Sequence, residues 1–290
     1  MRRSAPTLVS VCIPSLNTRA TIGEQLDALA AQTYDGAWEV VVLDNGSTDG
    51  SDVYVMEWAS RLPGLRVERV AERGISNVRN AARRVARGDL LAFCDGDDVV
   101  VPGWLAALVA AAESYDVVGG VLDDTALNPP NVVRWRGAIP RDALMVPLGY
   151  LPFAPGGNCA VWGDVIDALG GWDASYVAGS DDVDFAWRAQ LCSYTVGFAP
   201  DAVIAYRYRA DARGLYRQSF RYGRTEALLQ RSFPAAPRHG VRDLLRVWRG
   251  LLRKAPGLRR NDDDRVLLLR EYAYHAGRLV GSAEQRTLLP

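Results

Sequence analysis

The sequence predicts an α/β protein: a mostly parallel sheet with helices on both faces, carrying a helical C-terminal appendage. Three observations predict it. Apolar runs of strand length alternate with helix-length segments up to about residue 122. Polar or acidic clusters follow three of those strand runs. Beyond Asp211 the pattern turns wholly helical and the charge changes sign: residues 1–200 hold 15 Lys and Arg against 25 Asp and Glu, and residues 201–290 hold 19 against 9. The expected division is an α/β body over 1–210 and a basic helical region over 211–290.

Each element has its own signal. Leu8 to Ile13 reads as a buried strand. Thr21 then opens a helix with Glu24 three residues on, a capping-box pattern, and Ile22, Leu26 and Leu29 form one apolar face. Val40 to Leu43 is the second strand, followed by a loop from Asp44 to Gly50 and a helix from about Ser51 to Arg61, with Val55, Trp58 and Leu62 at helical spacing. The third strand, Leu65 to Val70, leads to a helix from Ser76 to Ala86. A fourth, Leu90 to Cys94, ends at Asp95; Pro102 then opens a helix at its first turn, and Tyr115 to Leu122 makes a fifth strand. Asp123 to Pro155 is irregular and proline-rich, a pattern that suits acceptor binding or a lid, with Trp135 as a stacking platform or a loop anchor. A later strand covers Ala202 to Ala205, with Tyr206 and Tyr208 as strand packing. Leu215 to Phe233 is a helix rich in Arg and Tyr. Val241, Leu244, Leu245, Trp248, Leu251 and Leu252 then recur at helical spacing, with Arg242, Arg246, Arg249, Arg253 and Lys254 on other faces.

Parallel sheets bind ligands beyond the carboxyl ends of their strands. Ser15-Leu16-Asn17, the loop Asp44 to Asp49, and Asp95-Gly96-Asp97-Asp98 therefore converge on one edge. In the last cluster three carboxylates stand within four residues, and such crowding raises their pKa unless a hard cation or a ligand hydroxyl satisfies them. Asp-Gly is also ordinary turn chemistry. Asp44, at a strand end, is placed to accept a hydrogen bond from a nucleobase N–H, whereas Asp49 or Ser51 caps the following helix. Arg79 and Asn80 lie early on a helix that begins just after Gly74, where a diphosphate meets a helix N-terminus and a guanidinium. Arg83, Arg84 and Arg87 read as a solvated face.

Composition narrows the class. The formal net charge is zero, no apolar run is long enough to span a membrane, and the N-terminal run is too short for a signal peptide. A soluble cytoplasmic protein without a nucleic-acid partner is expected. Cys12, Cys94, Cys159 and Cys192 lack metal-type spacing and read as reduced core thiols.

Taken in order, Val9-Ser10-Val11-Cys12-Ile13-Pro14-Ser15-Leu16-Asn17, Asp44-Asn45-Gly46-Ser47-Thr48-Asp49, Gly74-Ile75-Ser76-Asn77-Val78-Arg79-Asn80 and Asp95-Gly96-Asp97-Asp98 resemble the family 2 glycosyltransferases of GT-A fold, a Rossmann-like architecture. The likeness continues through Gly156-Gly157-Asn158-Cys159-Ala160, Leu169-Gly170-Gly171-Trp172-Asp173 and Asp181-Asp182-Val183-Asp184 ahead of Arg188, and covers roughly residues 8–208. The resemblance implies inverting transfer from a nucleotide diphosphate sugar, with UDP or dTDP favoured and GDP as a further donor base. It divides the body into a donor half over about 1–122 and an acceptor half over about 123–210. Pro14, Asn17, Asp44, Arg79, Asn80 and Asp95 would then bind the donor. Asp95 and Asp97 would hold Mn2+ or Mg2+, and Gly157, Asn158, Trp172 and Asp173 would line the acceptor side. Asp182 matches the general base, ahead of Asp181, which stands where Glu is more usual; Asp184 caps or orients the helix. The implied acceptor is a glycan, a lipid-linked sugar or a small secondary metabolite.

One position departs from the family pattern. Tyr206-Arg207 stand where a metal-site histidine is usual, and the only histidines are His239 and His275. Either carboxylates, diphosphate and water hold the metal, or Arg207 supplies positive charge directly. The amphipathic C-terminal helices suit an anionic membrane surface, an anionic acceptor, or packing on the body or a second copy. Two further classes share features of the chain. Leu91 to Val99 also resembles the Asp-x-Asp-x-Val nucleophile of haloacid-dehalogenase phosphohydrolases, with Asp95 as nucleophile, and a nucleotide-binding scaffold without catalysis would need only the donor half.

Overall fold

The computed structural model describes residues 2–137, 139–177, 179–237, 241–256 and 262–286; His239 lies outside the described residues. Among these, eight strands form one mixed sheet. β1 (Val9–Ser15) pairs in parallel with β2 (Trp38–Asp44) and β4 (Leu90–Cys94), and β2 pairs in parallel with β3 (Arg66–Arg69). β6 (Val117–Asp123) runs parallel to β8 (Val196–Ala205), with β5 (Val99–Val100) antiparallel at the far edge of β8. Between the two halves lies β7 (Asn158–Trp162), antiparallel to both β4 and β6. The sheet order is β3-β2-β1-β4-β7-β6-β8-β5.

The reversed strand has a positional consequence. Because β7 opposes β4 with Asn158 beside Cys94, the chain just before β7 meets the chain just after β4. Gly157 is thereby set against Asp95, and Gly156 against Arg79.

β1, β2 and β4 read as near-continuous apolar runs because helices cover both faces. The helices are α1 (Ile22–Ala30), α2 (Ser51–Tyr54), α3 (Ile75–Val85), α4 (Trp104–Ala112), α5 (Pro130–Arg136), α6 (Gly163–Ala168), α7 (Asp181–Leu191), α8 (Ala212–Ser232), α9 (Val241–Lys254) and α10 (Asp262–Gln285). No described helix is long and apolar enough to cross a membrane. The central core joins Val11, Ile13, Val41, Phe93, Trp104 and Trp172. A second cluster, with Tyr176, Trp187, Leu229 and Phe233, ties the end of α8 to α7.

Several local expectations change. The helix expected from Ser51 to Arg61 is one short turn of α-helix followed by a 3₁₀ turn over Val55–Trp58, and still buries Val55 and Trp58. The capping box at Thr21 does not form: Thr21 Oγ1 donates to the carbonyls of Thr18 and Gly96 at 3.3 and 3.2 Å. Asp49 takes the N–H and hydroxyl of Ser51 at 3.0 and 2.7 Å. The strand expected from Ala202 starts earlier, at Val196. The stretch from Asp123 to Pro155 contains α5, which is anchored on α10 by Trp135 Nε1 and Arg134 on Asp263, at 2.8 and 2.7 Å. Trp135 is thus a loop anchor. Cys12, Cys94 and Cys159 are buried free thiols, but Cys192 is exposed and not part of the core.

α8 and α10 cross at glycines. A side chain on Gly223, Gly277 or Gly281 would run into the backbone of Tyr274, Phe220 or Arg224 on the facing helix, so the two helix backbones touch. Glu226 on α8 receives the Tyr274 hydroxyl and pairs with Arg278 at 3.2 Å, both from α10.

Candidate active site

The carboxyl edge of the sheet is shaped by side chains that fasten one loop to another. Asn45 Nδ2 donates to the carbonyls of Val70 and Glu72 at 3.0 and 2.9 Å, while its Oδ1 accepts from Gly74 N at 3.1 Å. One amide thereby sets the turn into α3, where Gly74 has φ 120°. Asp44, buried at the end of β2, accepts from Ser47 N at 3.1 Å. Asn17, at φ 56°, spends its Oδ1 on Thr48 N at 2.8 Å. Its side chain therefore joins the first two loops. Pro14 remains in β1, opposite Leu43.

α1 grips the acidic loop from below. Gln25 is fully buried; its amide donates to Asp95 O at 3.2 Å and accepts from Val100 N at 2.9 Å, bracketing Asp95 to Asp98. Asp95, Asp97 and Asp98 then offer carboxylate oxygens all within 4.8 Å of one another. Burial, with Asp97 nearby, pushes Asp95 up to about 6. Burial together with Asp95 and Asp97 raises Asp98 further, to about 9. Asp98 Oδ1 accepts from Arg207 N at 2.7 Å, but its buried Oδ2 has no hydrogen-bond partner. An all-oxygen set this crowded, with one orphaned buried oxygen, fits a hard divalent cation. Asp98 thus joins Asp95 and Asp97 as a third candidate ligand, although the sequence reading left it out.

Arg207 lines the cleft and brings positive charge to Asp97 and Asp98, where a histidine is usual. Its Nη2 pairs with Glu24 at 2.7 Å and its Nε donates to Asp97 O at 2.8 Å, so it splints the acidic loop to α1.

The acidic pair at the start of α7 divides its labour. Asp181 is buried in an ion pair with Arg79, itself 4% exposed. Arg79 is also held charged by Asp182 and Asp95 against the cost of its burial. Gly156 leaves the room that the guanidinium occupies, and Gly157 leaves room for Asp95, whose Oδ2 would lie 2.6 Å from an added Cβ. Asp182 is held differently. Its Oδ2 accepts from Gly156 N at 3.0 Å and its Oδ1 from Val183 N at 2.9 Å, leaving lone pairs on both oxygens. Burial, reinforced by Asp181, pushes Asp182 up to about 6.

Other residues assigned to donor or acceptor serve the framework. Asn80 pairs its amide with both backbone groups of Trp172 at 2.8 Å, so it fixes the Gly170-Gly171-Trp172 turn. Trp172 is 4% exposed and stacks on Phe185 at 4.3 Å. It is a core residue and not an acceptor surface. Asn158 is fully buried: it accepts from Trp104 Nε1 at 2.8 Å and donates to the carbonyls of Val121 and Ala202, both at 2.9 Å. Those bonds bridge the register shift between β6 and β8, so Asn158 repairs the sheet. Asp173 is exposed and closes a turn on Ser175 N at 2.8 Å. Asp184 binds Arg188 at 2.8 Å, and Arg188 donates onward to the carbonyls of Leu169 and Gly171.

Asp95 and Asp97 open onto a cleft of ≈ 320 Å³ whose opposite wall comes from α5, the end of β8 and α8. Tyr206 and Tyr208 line this cleft, so their role goes beyond strand packing. Tyr222 of α8 also lines it and feels the charge of Asp182.

A reversed strand joining two parallel half-sheets, with a carboxylate cluster at its carboxyl edge and an acidic pair opposite, defines a glycosyltransferase of GT-A fold. The sequence profile of Glycosyl transferase family 2 matches residues 10–160, and that of Glycosyl transferase family group 2 matches residues 90–256. The chain belongs to the family 2 glycosyltransferases. It is 28% identical over 220 residues to glycosyltransferase AglE of Haloferax volcanii, covering 74% of this chain and 72% of AglE. It is 34% identical over 99 residues to the Escherichia coli UDP-Glc:alpha-D-GlcNAc-diphosphoundecaprenol beta-1,3-glucosyltransferase WfgD, covering 34% of this chain and 37% of WfgD. The chain spans about a third of EpsJ of Bacillus subtilis, an uncharacterized glycosyltransferase, at 34% identity. Among solved structures, the mannosyltransferase PcManGT of Pyrobaculum calidifontis, in complex with GDP-Man and Mn2+, superposes with TM-score 0.66 at 20% identity, covering 97% of this chain and 88% of that one. TarS of S. aureus with UDP-GlcNAc gives 0.58 at 16%, covering 97% and 93%. Family membership removes the phosphohydrolase reading of Asp95 and the reading as a scaffold without catalysis.

Proposed function

We propose that the chain transfers a sugar from a nucleotide diphosphate sugar to an acceptor hydroxyl by single displacement, with Asp182 as general base. The observation that carries this reading is the division of the acidic pair. Asp181 is neutralised by Arg79, whereas Asp182, whose charge reaches Tyr222 of the cleft wall, is held by two backbone N–H groups with lone pairs to spare. In the reaction the acceptor oxygen attacks the anomeric carbon from the side opposite the diphosphate, and its proton passes to Asp182. The anomeric carbon–oxygen bond breaks with its electron pair going to the diphosphate, so configuration inverts. Asp44 reads the base, and the buried Arg79, paired with Asp181, sets positive charge beside Asp182 and Asp95. Asp95, Asp97 and Asp98 would hold Mn2+ or Mg2+, which when bound neutralises the charge that develops on the leaving diphosphate.

UDP-, dTDP- and GDP-sugars all fit this donor reading, and the UDP-GlcNAc bound by TarS and the GDP-Man bound by PcManGT support a nucleoside diphosphate sugar as the class. The acceptor of WfgD supports a sugar on a lipid diphosphate as acceptor. A membrane-borne acceptor also suits α9, where Leu245 and Leu252, 49% and 67% exposed, flank the exposed Arg242, Arg246, Arg249 and Arg253.

Calorimetric titration with UDP, dTDP, GDP and CDP, with and without Mn2+, tests the donor and the metal together. One diphosphate is expected to bind selectively, and Asp97→Asn to abolish the metal-dependent part. Binding that ignores both chelation and Asp97→Asn would remove the metal site. No binding of any nucleotide would remove the donor reading.

A further inference from the structure

Arginines near the acidic pair and the acidic loop are matched to carboxylates: Arg79 to Asp181, Arg188 to Asp184, Arg207 to Glu24. The far wall of the cleft breaks this rule. Arg136 of α5 is only partly exposed, lies over the Tyr208 ring at 4.7 Å, and donates to the Gln218 amide oxygen and to the Arg209 carbonyl at 3.5 Å. Both acceptors are uncharged, and its buried Nε has no partner at all. Arg209 and Arg221 are exposed, line the same cleft, and have no ion pair among the described residues. A half-buried guanidinium held only by neutral groups retains much of its desolvation cost, which an incoming anion would relieve. Burial accordingly presses the Arg136 pKa down.

We infer that Arg136, Arg209 and Arg221 form an anion subsite for a phosphate or diphosphate group carried by the acceptor, separate from the diphosphate of the donor. This rests on the glycosyltransferase reading of the same cleft. Two features place the anion on the acceptor. The donor's diphosphate has its own counter-charge system at the Asp95 to Asp98 loop across the cleft, whose crowded oxygens suit a divalent cation, and of the three arginines only the charge of Arg209 bears on Asp97. Arg221 adjoins Tyr222, the residue of this wall that feels Asp182, and the acceptor hydroxyl must reach Asp182. Gln218 of α8 orients Arg136 and also donates to the Tyr222 hydroxyl at 2.8 Å, so the wall is one hydrogen-bonded unit.

The test uses the full chain and inorganic phosphate as probe, titrated into the free protein and into protein saturated with UDP or GDP and Mn2+. Phosphate is expected to bind in both states. Arg221→Gln and Arg209→Gln, both exposed and without a structural bond to lose, are each expected to weaken it about tenfold while leaving nucleotide affinity within about twofold. Nucleotide affinity falling about tenfold in these variants, with no phosphate bound by the saturated protein, would assign the arginines to the donor and overturn the proposal. Wild type that binds no phosphate in either state would overturn it as well. If no nucleotide binds but phosphate binds the free chain and is lost in the variants, the donor reading fails and the subsite stands.

Discussion

Asp182 shows how much a carboxylate's role depends on what its neighbour has already been given. Arg79 takes up Asp181, and two backbone N–H groups fix Asp182 without neutralising it. Because burial raises Asp182 to about 6, the proposed base is deprotonated above that pH and protonated below it. The logarithm of kcat/KM is therefore expected to be flat from about pH 7 upward and to fall with unit slope below about 6. Asp182→Asn is expected to lower kcat by roughly 10² to 10⁴-fold with nucleotide affinity unchanged; a pH-rate profile and calorimetry on the variant check both, and an unaltered kcat would transfer the role elsewhere. The residues most legible in sequence were those at strand ends, Asp44, Asp95 and Asp97, because topology alone delivers them to the ligand edge. The framework roles of Asn80 and Asn158 are not legible in sequence because an amide that bonds backbone and one that bonds a hydroxyl look alike without their partners, and that of Trp172 because a ring in the core and a ring on a sugar look alike without its neighbour Phe185. Gln25 and Asn45 were missed for the same reason.

At the scale of elements, the alternation of strands and helices was readable because short continuous apolar runs give way to period-3.6 patterns at the loops. The reversal of β7 was not readable, since an apolar run carries no direction. That reversal brings Gly156 and Gly157 to Asp95 and Arg79, and hence completes the site. The register shift between β6 and β8 was equally invisible, although Asn158 exists to bridge it. The crossing of α8 and α10 is held by glycines, whose meaning depends on a partner helix many residues away. Gly277→Val is expected to push these helices apart at Phe220 and to cost about 1–3 kcal/mol; urea unfolding should register the lower midpoint, and an unshifted midpoint would mean that the helices do not touch there.

For the whole molecule, the opposed charges of body and C-terminal region were plain from composition, but their use was not. Among these basic residues, Arg209 and Arg221 line the cleft, Arg224 and Arg278 join α8 to α10, and Arg242, Arg246, Arg249 and Arg253 of α9 are exposed. Only the tertiary arrangement separates them. If α9 engages an anionic bilayer, wild-type protein is expected to co-sediment with vesicles containing phosphatidylglycerol and not with pure phosphatidylcholine, each arginine contributing about 1 kcal/mol near the surface. Glutamate at Arg242, Arg246, Arg249 and Arg253 together should abolish the effect, and equal sedimentation of wild type and variant would assign α9 to another task.

The glycine-lined crossing also bears on redesign. Since the backbones of α8 and α10 meet without intervening side chains, neither helix can be exchanged alone without a steric collision. The pair is a single portable cassette. If this wall of the cleft holds the acceptor as proposed, grafting a different acceptor preference means transplanting both helices together with α5, whose anchor on Asp263 belongs to the same cassette.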